Sequence, residues 1–129
     1  MSSQMGSLSV PLKDGSVATV KVIWTDGVFA THLAAQDDPS AVAYSATHIK
    51  SRGAITPLMP SEAHARAFAL WLMTLPCDWD REHVDMSSLP SYLLRVREWI
   101  RVRPRAPSLA TIKTYVKRTY EHSARKIRR

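Results

Sequence analysis

The residues best suited to chemistry are cations, and they are crowded at one end of the chain. Arg95 to Arg129 hold twelve lysines and arginines against two acids, a charge of +10, whereas Met1 to Leu94 hold six against nine, a charge of −3. Lysine and arginine neutralise phosphates and release counterions, an attraction that grows with each contact and ignores base sequence. Arginine adds a rigid fork that fits a phosphate or a guanine edge. Concentrated in one third of the chain, this charge presents a polyanion with a field that the remainder lacks. The candidate contact residues are Arg97, Arg101, Arg103, Arg105, Lys113, Lys117, Arg118, Arg125 and Arg128. Trp99 and Tyr115 lie among them and are able to stack on a base or sugar. The plainer reading is a solvated face whose charges only keep the protein in solution. Lacing the same residues into salt bridges would need more carboxylates than Glu98 and Glu121.

Two further groups have reactive side chains. Phe29-Ala30-Thr31-His32 and Tyr44-Ser45-Ala46-Thr47-His48 form a near repeat, and a pair of strand histidines can bind a metal or exchange protons. In a hairpin centred near Asp38, His32 faces Tyr44 and His48 faces Val28. The two histidines then share a face four residues apart, roughly 13 Å, which is too far for one zinc ion. Half-exposed strand histidines beside polar threonines are the expectation. Cys77 to Asp85 is dense in oxygen ligands and contains His83, but it lacks the glycine and spacing of a calcium loop and any paired zinc motif. It reads as a solvated connection. Cys77, the only cysteine, has no histidine fixed beside it and reads as a small, partly buried residue. No glycine-rich phosphate loop or nucleophile elbow is present, so catalysis is unsupported and neither a metal nor a cofactor is expected.

The elements that must position these groups divide at the acidic connection. Ser7 to Leu12 and Val17 to Trp24 flank a Lys13-Asp14-Gly15-Ser16 turn, and Thr25-Asp26-Gly27 leads into a third strand, Val28 to Leu33. After a polar, proline-containing loop, Ala41 to Lys50 supplies the fourth. This is an antiparallel meander. Ser61 is placed to cap a helix after Pro57 and Pro60, with Glu62 in its first turn and Phe68, Trp71, Leu72 and Leu75 as one apolar stripe. That helix is expected to cover one sheet face and to end before Pro76. Leu89, Leu93, Val96 and Ile100 then fall in helical register, which outweighs the local Arg-Val alternation as a strand signal. Pro104 and Pro107 end that helix. Ser108 caps the next, whose stripe is Leu109, Ile112, Val116, Tyr120 and Ile127. Both helices are expected to turn their arginines and lysines outward.

Pro107 to Arg118, reading PSLATIKTYVKR, resembles the recognition helix of helix-turn-helix proteins: a serine cap, then threonine and a β-branched residue, then basic positions. The resemblance implies that Ser108, Thr111, Lys113, Thr114, Lys117 and Arg118 face DNA, with base contacts near the helix start. It implies phosphate contacts from Arg101, Arg103 and Arg105. The sequence departs from the family at Arg103-Pro104-Arg105-Ala106-Pro107, where two prolines replace the usual short glycine turn.

The sequence thus reads as an α+β protein: an antiparallel meander of four or five strands covered by one helix over residues 1–86, followed by a basic helical pair over 87–129 that packs on it or stands apart. The expected function is that of a non-catalytic nucleic-acid-binding accessory protein, with DNA preferred to RNA. The acidic sheet half would serve homodimerisation or partner docking. The alternatives are an inhibitor or assembly subunit docking its basic helices on an acidic protein, and a small metal-dependent hydrolase. One cysteine, no signal-like start in MSSQMGSLSV and no apolar run of bilayer length lead to the expectation of a cytoplasmic protein that does not enter membranes.

Overall fold

The computed structural model describes residues 6–12, 15–34, 43–75, 79 and 91–121. Five strands run in chain order across one antiparallel sheet: β1 (Ser7–Pro11), β2 (Val17–Thr25), β3 (Phe29–Leu33), β4 (Tyr44–His48) and β5 (Gly53–Ala54). Among the described residues three helices follow, α1 (Glu62–Leu72), α2 (Ser91–Arg101) and α3 (Leu109–Val116), the last running into a π-helical turn, Lys117–Glu121. The fold class is α+β, with the sheet packed against α1.

Local chemistry sets the hairpins. Between β2 and β3, Asp26 Oδ1 accepts the Val28 and Phe29 amides, each at 2.9 Å, while Thr25 Oγ1 accepts from Gly27 N–H at 3.0 Å and donates to Phe29 O at 2.8 Å. Gly27 takes φ +92° there, a region where a Cβ is strained. Further along, β2 carries one extra residue between Val22, which pairs with His32, and Trp24, which pairs with Thr31. This bulge turns Trp24 to the α1 side, whereas Val22 stays on the opposite face. Arg52, at φ +61° in the β4–β5 turn, extends its guanidinium to Ser9 O of β1 at 2.9 Å. Leu8, Val10, Val20, Val22 and Ala30, on β1 to β3, form a small second core.

The β3–β4 register differs from the expected one by a single residue: His32 faces Ser45 and His48 faces Phe29. Strand side chains alternate, so this shift puts the two histidines on opposite faces. The register brings fully buried Phe29 and Ala46 together under α1, which apolar burial favours. His32 and His48 are 3% and 0% exposed, not half-exposed.

Helix α1 starts where expected. Ser61 Oγ accepts the His64 amide at 3.1 Å, satisfying a donor that the first turn cannot. Its inner face buries Ala65, Phe68, Ala69, Trp71 and Leu72, and the alanines let the helix approach closely. Thr31 of β3 donates to Glu62 Oε2 at 2.6 Å, and Arg66 holds the same carboxylate by two hydrogen bonds of 2.8 and 2.9 Å while lying over the Trp24 ring. Residues 95–103 begin in helix rather than strand, and Leu93, Val96 and Ile100 are buried. They join Phe29, Phe68, Trp71 and Ile112 of α3 in one core cluster, so α2 and α3 share the core of the sheet and α1.

Candidate nucleic-acid interface

The basic residues owe their positions to three anchors. The first is Ile112, the one fully buried side chain of α3. The second is the stacked pair Trp99 and Tyr115, whose rings lie 4.2 Å apart and 7° from parallel and tie α2 to α3. The third is His64 of α1, whose Nε2–H donates to Arg103 O at 2.8 Å. A carbonyl only accepts, so this bond places the ring proton on Nε2, and Nδ1 accepts from the Ser61 hydroxyl at 2.6 Å. The connector between α2 and α3 is thereby held to the start of α1.

Helix α2 turns only part of its charge outward. Arg95 is exposed, but Arg97 is half-buried, donating to Ile55 O at 3.1 Å beside β5. Burial lowers its pKa from the ordinary arginine value. Arg101 grips Glu98 three residues back through Nε at 2.8 Å and through Nη2. Those hydrogen bonds lower the Glu98 pKa and raise that of Arg101. The expectation that both helices turn every cation outward thus meets a helix with one arginine drawn inward and one neutralised by its neighbour.

The connector and α3 present the rest. Arg103, Arg105, Lys113, Lys117 and Arg118 are exposed, and among the described residues none of them enters an ion pair. On α3, Ile112, Val116 and Leu109 point inward or to the flank, leaving Ala110, Thr111, Lys113 and Thr114 exposed, with Lys117 and Arg118 beyond. Ser108 caps the helix, accepting the Thr111 amide at 3.2 Å and pairing with the Thr111 hydroxyl at 2.9 Å, while Thr114 Oγ1 donates to Ala110 O at 3.0 Å. A recess of about 410 Å³ lies against this face, lined by Trp99, Thr111, Thr114, Tyr115 and Arg118 among others. Trp99 also receives the Arg103 guanidinium 4.9 Å from its ring centre. Arg125 and Arg128 lie outside the described residues.

The histidines have structural partners. His32 Nδ1–H donates to Leu33 O at 2.9 Å and Nε2 accepts from the Thr47 hydroxyl at 2.8 Å. Burial lowers its pKa from the ordinary 6.5, opposed by the hydrogen bond to Leu33. His48 donates through Nε2 to Trp79 O at 2.5 Å and packs among Phe29 and Trp79. Buried Trp79 lies within the segment expected to be solvated, and its Nε1–H reaches Leu72 O at 3.2 Å. Cys77 and His83 lie outside the described residues. Among the described residues no three His, Cys, Asp or Glu side chains gather as metal ligands, and no helix is long and apolar enough to cross a membrane.

Sequence reasoning missed the His64 anchor, because a histidine on a helix face gives no sign of a carbonyl 39 residues away. It also missed Arg52 as the clasp between the sheet edges. Compared with known proteins, the chain matches no family model, no curated protein and no solved structure.

Proposed function

We propose that this protein is a non-catalytic nucleic-acid-binding accessory factor whose contact surface is the connector and exposed face of α3. One observation carries the reading: between Glu98 and Glu121 the chain has six lysines and arginines and no acid. Five of those six are exposed and lack a carboxylate partner among the described residues. Unpaired, closely spaced cations repel one another and carry a standing cost that a polyphosphate removes. Arg103, Arg105, Lys113, Lys117 and Arg118 are the proposed phosphate ligands. Arg97, bonded to Ile55 O, and Arg101, paired with Glu98, are not among them. The resemblance of residues 107–118 to a recognition helix favours DNA over RNA. The single cysteine fits the reducing cytoplasm.

Fluorescence anisotropy of labelled duplex DNA across salt concentrations tests the reading. Five phosphate contacts give a log–log slope of about −4.5. Deleting the C-terminal third is a poor control, since Val96, Ile100 and Ile112 belong to the common core. Replacing Arg105, Lys113 and Lys117 by alanine removes charge without opening that core and should lower the slope to about −1.8. Absence of binding even at low salt sinks the reading. A pull-down for an acidic protein partner would then address the competing interpretation.

A further inference from the structure

We infer that the proposed surface takes double-helical DNA with little regard to base sequence, an inference that rests on the nucleic-acid reading above. The first ground is the fate of the aromatic rings. Proteins that hold single strands stack bases on exposed rings. Here Trp99 and Tyr115 stack on each other, Arg103 lies over Trp99, and no described aromatic side chain is exposed. Among the described residues a base finds no fully exposed ring to stack on.

The second ground is the absence of readers for adenine and cytosine. Adenine is read by Asn or Gln and cytosine by Asp or Glu. Residues 99–120 contain none of these four types. The hydroxyls that the recognition-helix resemblance assigns to base contacts are turned back on the helix. Ser108 and Thr111 bond each other, and Thr114 bonds Ala110 O. What remains outward is lysine and arginine, which serve phosphates everywhere along a duplex and, of the bases, read only guanine.

The third ground is shape. The exposed side of α3 carries short side chains at Ala110, Thr111 and Thr114, beside the recess, and cations at Lys113, Lys117 and Arg118. An α-helix with its side chains is about 10–12 Å across, matching the roughly 12 Å major groove of B-DNA. The major groove of an RNA duplex is too narrow to admit it. The short residues let the helix approach while the cations reach phosphates.

The experiment uses the full chain with short fluorescein-labelled DNA duplexes of unrelated sequence, one of them purely A·T, together with their separated strands and an RNA duplex. The expected result is affinities within about threefold across the DNA duplexes, and binding at least about tenfold weaker to single strands and to the RNA duplex. Thr111→Ala with Thr114→Ala should leave every duplex affinity within about twofold, while Lys113→Ala with Lys117→Ala should weaken all of them alike. Equal or tighter binding of single strands or RNA overturns the inference while leaving the nucleic-acid reading standing. So does a preference above about tenfold for any one DNA duplex over the others. Failure to bind any probe overturns both.

Discussion

Arg97 separates a structural arginine from a ligand-binding one, and its removal tests the assignment directly. Its guanidinium is half-buried and donates to Ile55 O, clipping α2 to the chain just after β5. A hydrogen bond from a charged donor contributes about 1.5–3 kcal/mol, and the low end applies because the guanidinium keeps some access to water. Replacement by methionine keeps much of the aliphatic stem and deletes the donor, isolating the bond from the packing. At roughly 4 °C per kcal/mol for a chain of this size, Arg97→Met should lower the Tm by about 6 °C. The salt slope of DNA binding should not change. Arg105→Ala should do the reverse, leaving the Tm within about 2 °C and making the slope less steep by about 0.9. Thermal denaturation followed by circular dichroism and salt-dependent anisotropy on the same preparations measure both quantities. An Arg97→Met protein that melts like the wild type and loses one phosphate contact would refute the reasoning.

Three further outcomes follow from the packing. His32 is held neutral by burial, with its folded pKa below the ordinary 6.5, so the unfolded chain takes up the proton first as pH falls. Its contribution to stability is complete above about pH 6.5 and is lost below it, by at most about 1.4 kcal/mol per pH unit. Urea denaturation between pH 8 and 5 should show a shallower acid decline for His32→Gln. Ile112→Ala leaves a cavity beneath α3 where the side chain is fully buried, and should cost about 2–5 kcal/mol in chemical denaturation. Tyr115→Leu breaks the parallel stack on Trp99. It should cost about 1 kcal/mol and alter the near-ultraviolet circular dichroism of the indole.

Much of the local structure was legible in the sequence because it depends on near neighbours. Ser61 and Ser108 cap helices where their spacing to the next apolar turn placed them. The Thr25-Asp26-Gly27 turn forms because its side chains bond their own backbone within four residues. The stripe Leu93, Val96 and Ile100 is buried because helical periodicity brings those residues to one side.

What the chain order left open was decided by contacts across long separations. A one-residue register change, read nowhere in the composition, sends His32 and His48 to opposite faces, because side-chain direction in a strand has a period of two. The bulge in β2 does the same for Trp24 and gives Arg66 a ring to lie over. The twelve cations near the C-terminus were plain in the sequence. Which of them remain available was not, since Arg97 finds a carbonyl 42 residues away only once α2 has packed. Composition fixes how much charge a chain carries; the tertiary structure decides how much of it is left facing water, because burial and pairing both depend on what the fold brings alongside.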